Sequence, residues 1–432
     1  MASTPAMGDP CFDVDKLSYE IFTILESKFL FGYDDPKLFL NESSPETPAK
    51  NHASPTISSG KVRILSIDAI SDCLVAAAFL ARIESSLRIQ SGDPAAPIAD
   101  FFDIAAGSGA GGVISAMLFT RGANGRPLFS AEETLCFLAK NGLPSARKGL
   151  FRAMLRRSID GSFRKIFGEA TLRDTVKPLL IPCFDFSTGA PFLFSRADAV
   201  ETDGYDFRIR EICAATCGVL KAMEMKSIDG RTRIAAVGGE VAMANPTAAA
   251  ITHVLHNKQE FPFASRVEDL LVVSIAGVAP ELAGRSSQST AEALRIAGNG
   301  MADTVDQVIA MAFSQNRTNN SNYVRLQAHG LGIDAIKGSN RDAKQIMETA
   351  EAILGQRNVE SVLFQGRKLS QETNAEKLER FAAELIEEHD NRKKSRIPTV
   401  FIKQIMTPRT SSATTITSTT LSGSPRPNSS HS

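Results

Sequence analysis

Blocks of apolar residues alternate along the chain with turn-forming clusters, and their lengths separate strands from helices. Residues 61–68 (KVRILSID) and 270–277 (LLVVSIAG) are short, nearly continuous apolar runs. That is the pattern of a strand buried on both faces. Residues 74–87 are long enough for a helix. Residues 101–119 (FFDIAAGSGAGGVISAMLF) pass from a strand-like run at 101–106, through a turn of small residues at 107–112, into an apolar helix from 113. Ser130, followed by Glu132 and Glu133, marks another helix start. Residues 203–220 read as loop and helix, 247–256, 291–316, 344–354 and 375–391 as helices, and 322–327 (NYVRLQ) as a short strand. Near the beginning, residues 15–31 place Leu17, Ile21, Ile24 and Leu25 at helical spacing. The alternation predicts a three-layer α/β fold, a mostly parallel central sheet with helices on both faces, with helical extensions at both ends.

The turn at 107–112 carries the chemistry. A strand that ends in a glycine turn opening a helix aims several backbone N–H groups at one spot, which suits a phosphate or an oxyanion. Two motifs fit the letters. Gly107, Gly109 and Gly112 match G-x-G-x-x-G, the dinucleotide fingerprint. That reading needs a second strand ending in an acid about 20 residues on, whereas residues 121–140 (RGANGRPLFSAEETLCFLAK) place Glu132 and Glu133 at the opening of a helix. The other motif is the nucleophile elbow G-x-S-x-G, with Gly109 at the serine position.

Residues 235–247 (AAVGGEVAMANPT) and the 270–277 strand support the elbow. From residue 61 to about 279, the order and spacing of these segments resemble the patatin-like lipid acyl hydrolases. Their motifs read "SxDGG", "GTSTGG", "DGG", "NNPT" and "SLGTG". Residues 179–199 (LLIPCFDFSTGAPFLFSRADA), together with GSGAGG, resemble the plant group III patatin-like proteins. The resemblance implies a serine nucleophile, an aspartate base and a glycine loop holding the oxyanion.

This chain departs at each part. Gly109 stands at the nucleophile position and Val237 at the base position, while Gly107, Gly111 and Gly112 keep the elbow frame, and Gly238 and Gly239 remain of the "DGG". After Asp68, the oxyanion loop reads Ala69, Ile70, Ser71, Asp72 instead of glycines. The family's "RATSAAP" has become residues 214–220, with only Thr216 in place. The resemblance therefore implies a hydrolase fold without its dyad, inactive and acting by binding lipid, a membrane or a protein partner. Two alternatives stay open. One is a weak acyl hydrolase acting on phospholipids or galactolipids, with Ser108 as substitute nucleophile and Asp68, Asp72 or Asp229 as base. The other is a nucleotide-binding regulator that uses the glycine loop.

Composition narrows the rest. The 432 residues, 43% of them hydrophobic, can bury a large core, and 48 basic against 48 acidic residues leave no overall field favouring nucleic acid. Six scattered cysteines without a CxxC pair suggest reduced thiols in a cytoplasmic protein, and Cys213 and Cys217 read as core. No signal peptide or transmembrane run is apparent. His253 and His256 have no acidic or thiol partner near them in sequence, so neither metal nor organic cofactor is implied. Residues 148–168 gather Lys148, Arg152, Arg156, Arg157, Arg164 and Lys165 among aromatic and aliphatic residues. Such a stretch either packs its apolar face on the domain or lies on an anionic lipid surface, with peripheral membrane contact. The organisation expected is an amphipathic helix in 1–40, a linker in 41–60, the acyl hydrolase-type domain in 61–280, a helix and strand extension in 281–403, and a disordered Ser/Thr-rich tail in 404–432.

Overall fold

The computed structural model describes residues 60–69, 73–143, 162–218, 222–279, 290–314, 322–329, 343–362 and 366–403. The predicted helix at 15–31, the linker up to residue 59, Ile70 to Asp72, residues 144–161 and the tail from 404 lie outside the described residues.

The strands are β1 (Val62–Ala69), β2 (Ile104–Gly109), β3 (Leu179–Asp185), β4 (Ala190–Ser195), β5 (Met223–Lys226), β6 (Arg233–Val237), β7 (Leu270–Ala279) and β8 (Tyr323–His329), with a separate hairpin of β9 (Arg357–Val362) and β10 (Gly366–Thr373). The helices are α1 (Cys73–Ser91), α2 (Ala110–Phe119), α3 (Ala131–Asn141), α4 (Arg196–Glu201), α5 (Ile209–Thr216), α6 (Gly239–Ala242), α7 (Thr247–His256), α8 (Thr290–Ser314), α9 (Ala343–Leu354) and α10 (Asn374–Lys394). The helix start expected at Ser130 is a capping box: its hydroxyl accepts from the Glu133 N–H while the Glu133 carboxylate accepts from the Ser130 N–H.

Eight strands form one mixed sheet in the order β5-β6-β3-β2-β1-β7-β8, with β4 paired to β3. The pairings from β3 through β2, β1 and β7 to β8 are parallel. β4, β6 and β5 add antiparallel pairs beyond that run. Alternation along β1 assigns the two faces. Leu65 and Ile67 join the core beneath α1, α2, α3, α5, α9 and α10, while Val62 and Ile64 join the core beneath α7 and α8.

The path along the sheet reverses at β1: the strands run outward through β2 and β3, and the chain later returns on the other side at β7 and β8. In open α/β sheets, ligands bind at the carboxyl ends of strands beside such a reversal, and the turn after β2 stands at that edge. At the opposite end, Asp103 accepts from Arg63 (Nη2, 3.2 Å) and from Arg392 of α10 (Nη1, 2.7 Å), tying the last helix to the start of β1 and β2. No helix among the described residues is long and apolar enough to cross a membrane.

Candidate functional site

Gly109 ends β2 and caps α2 with φ 58° and ψ −126°. L side chains are rarely found in that conformation, and a residue forced into it stores roughly 1–3 kcal/mol. The turn has glycine at its apex and is tighter than the sequence suggests: residues 107–109 complete the strand and 110–112 already open the helix. Gly107, Gly111 and Gly112 form its frame: a Cβ on Gly111 would stand 2.7 Å from the Ile67 carbonyl carbon, and one on Gly112 3.0 Å from the Gly107 oxygen. Thr216, the residue kept from the family's segment, braces the turn. Its hydroxyl accepts from the Gly109 N–H (3.1 Å) and donates to the Pro182 carbonyl (3.1 Å). Gly239 packs against this brace, where a Cβ would lie 2.6 Å from the Pro182 oxygen and 3.1 Å from the Gly109 nitrogen. The two glycine motifs therefore meet at one point in space.

Val237 ends β6 and is buried, so the position where the resemblance expects a base is apolar. Gly238 turns the chain at φ 33°, and its N–H donates to the Gly218 carbonyl. Three residues after Val237, Glu240 projects toward the apex. A methyl at Gly109 would stand 2.7 Å from the Glu240 Cγ and 2.9 Å from its Cδ, with Oε1 closer still. Glu240 is half-buried, and its carboxyl makes no hydrogen bond or ion pair with a described residue. Burial, reinforced by the negative charge of Asp68, pushes it up to about 8, so the neutral acid prevails at pH 7. Among the described residues, a protonated carboxyl thus stands in the volume a nucleophile would need.

Ser108 takes a different place. Its Cα pairs with Asp68 across β1 and β2. Ile104 and Ala106 face the α7 and α8 side, and the two-residue period puts Ser108 on that side as well, away from α2. Its hydroxyl is buried and unpartnered. Both oxygens of Asp68 are held by Arg325 of β8, at 3.0 and 2.7 Å. Burial pushes the Asp68 carboxyl up to about 6 and the guanidinium pulls against that, so Asp68 is ionised at neutral pH. Arg325 also donates to Ser274, whose hydroxyl meets Thr247, and Thr247 bonds Ser66 and Asn245. Asp68 is thereby anchored in a buried polar network and makes no hydrogen bond to Ser108. Asp229, the other described candidate base, caps its own turn through Ser227 and the Arg231 N–H.

Ala69 ends β1 and is buried, while Ile70 and Asp72 lie outside the described residues. Of the basic stretch, Lys148, Arg152, Arg156 and Arg157 also lie outside them. Arg164 and Lys165 are exposed, and Phe163 and Phe167 beside them are buried in the core. Cys213 is buried, and burial pushes its thiol well above the usual range. Among the described residues, no three metal-ligating side chains converge. Glu132 and Glu133 open α3, and no strand among the described residues follows α2 before β3 to supply the acid of a dinucleotide site.

Sequence reasoning missed two side chains. An arginine between Val324 and Leu326 in a buried strand implies a buried partner, but nothing local names Asp68. Glu240 carries no local signal, because its role arises from a turn distant in the chain.

No family model matches the chain. It is 52% identical over 393 residues to "Patatin-like protein 3" of Oryza sativa subsp. indica, covering 88% of this chain and 92% of that protein. It is 48% identical over 431 residues to "Patatin-like protein 7" of Arabidopsis thaliana, covering 92% and 86%. To "Probable inactive patatin-like protein 9" of Arabidopsis thaliana it is 38% identical over 398 residues, covering 87% and 93%. Among solved structures, VipD from Legionella pneumophila aligns with 68% of this chain and 67% of its own at a TM-score of 0.29 and 10% identity.

Proposed function

The chain belongs to the patatin-like lipid acyl hydrolase family, and we propose that this member binds acyl lipid at the elbow without serine–aspartate catalysis. The observation that carries the reading is the apex itself: glycine at 109, valine at 237, and the Glu240 carboxyl in the space a side chain at the apex would occupy. Removing a nucleophile costs on the order of 10⁶ in kcat, leaving about 10³–10⁴ over water from the rest of the site. With the base position apolar as well, no acyl-enzyme forms by the family route. The expected ligand is a phospholipid or galactolipid. A peripheral approach to an anionic surface would use the basic stretch to which Arg164 and Lys165 belong.

The second reading, weak hydrolysis from Ser108, has one feature in its favour, the unpartnered hydroxyl. Against it stand the face on which Ser108 lies and the Arg325 grip on Asp68. The deciding experiment is hydrolysis of a labelled phospholipid by the purified protein beside Ser108→Ala, with lipid binding measured in parallel. Binding without turnover is the expected result. Turnover that disappears in Ser108→Ala would replace this reading with that of an unusual enzyme.

A further inference from the structure

We infer that Glu240 is the lipid-recognition group of this site, its carboxyl donating a hydrogen bond to the carbonyl oxygen of a bound acyl group. The inference rests on the proposed reading of the elbow as an acyl-lipid site and names the side chain that receives the ligand. A polar group withdrawn from water without a partner costs free energy, and native structures rarely leave one unused. Glu240 is partly withdrawn in this way: half-buried and still reached by solvent, unpaired among the described residues, and beside the apex where the family's serine would face an acyl carbonyl.

Its protonation suits the task. A neutral carboxyl can donate, whereas a carboxylate only accepts and would repel a carbonyl oxygen. Burial and Asp68 hold Glu240 neutral up to about pH 8. The other described ionisable groups facing it titrate elsewhere. Asp68 on β1, paired to Arg325 with Asp306 beyond, ionises near 6. Cys217 at the end of α5 is pushed well above the usual thiol range by burial. The first turn of α2 presents only Ala110, Gly111 and Gly112. Loss of binding near pH 8 would therefore belong to Glu240. No bond is made or broken in this role. The site holds the carbonyl where a serine at the apex would attack it.

The ligand chemistry has two sources, an ester carbonyl of a glycerolipid or the carboxylate of a free fatty acid. The test measures binding of monomeric dihexanoyl-phosphatidylcholine and of octanoate by calorimetry from pH 6 to pH 10, neither ligand titrating in that range. The full-length wild type is compared with Glu240→Gln and Glu240→Ala, with circular dichroism to show that each variant folds. The wild type should lose affinity by about 5- to 10-fold as pH rises through about 8 and then level off, the loss of the one donated hydrogen bond. Glu240→Gln keeps a donor and should bind within about threefold of wild type, without the pH dependence. Glu240→Ala should bind about 5- to 10-fold more weakly at pH 7, the loss of one hydrogen bond. Preference between the two ligands identifies the source. Wild-type affinity flat across the range, or Glu240→Ala binding like wild type, overturns the role of Glu240 and leaves the lipid-binding reading standing. Hydrolysis of the phosphatidylcholine overturns the lipid-binding reading, and no binding of either ligand overturns both.

Discussion

Gly109→Ala adds a single methyl at the apex, and two costs follow from the geometry. The first is local, since φ 58° with ψ −126° disfavours any L side chain and costs about 1–3 kcal/mol. The second is a contact. The methyl would stand 2.7 Å from the Glu240 Cγ and 2.9 Å from its Cδ, so that side chain must swing aside. It is the far end of a flexible chain and not backbone, so the coupling should be modest. About 1 kcal/mol lies within the roughly 0.5–3 kcal/mol seen between residues in contact. Gly109→Ala should therefore cost about 2–4 kcal/mol with Glu240 present and about 1–3 kcal/mol in a Glu240→Ala background. The assay is a double-mutant cycle by urea denaturation, followed by circular dichroism because the chain has no tryptophan. Additivity to within about 0.3–0.5 kcal/mol would mean that Glu240 does not fill the nucleophile's space.

The same geometry bears on restoring catalysis. Gly109→Ser with Val237→Asp should gain less esterase activity and less fluorophosphonate labelling than the triple variant that also carries Glu240→Ala. Equal gains would show that the carboxyl is no obstacle. Ser108→Ala removes a buried hydroxyl without a partner and should raise stability by about 1 kcal/mol; a lower denaturation midpoint would reveal a partner for that hydroxyl. Burial works against ionisation of Asp103, yet Arg63 and Arg392 hold its carboxyl well below the usual range. A depressed acid contributes stability that is present above the unfolded value of about 4 and lost as pH falls below it. Arg392→Leu should therefore lower the midpoint at pH 7 and reduce the further loss between pH 4 and pH 2. An unchanged acid slope would assign that loss to other carboxylates.

Much of the scaffold was legible in the sequence because it is local. An apolar run such as 61–68 specifies a strand buried on both faces, the small residues at 107–112 specify a passage from strand to helix whose turn narrows to Gly109 alone, and Ser130 with Glu133 specifies a helix start. The vacant chemical positions, Gly109 and Val237, were likewise readable one letter at a time against the family's motifs. The tertiary structure alone decided which distant residues fill the gaps. Asp68 is held by Arg325 because β8 joins the sheet beside β7 on the far side of β1. Ser108 faces away from the elbow helix because strand alternation and sheet order set its side. Glu240 meets Gly109 because the antiparallel end of β6 brings the second glycine motif against the first. Periodicity and turn chemistry act over a few residues and survive in a linear reading. Contacts made through sheet order depend on how the whole chain closes, and the character of this site lies in those contacts.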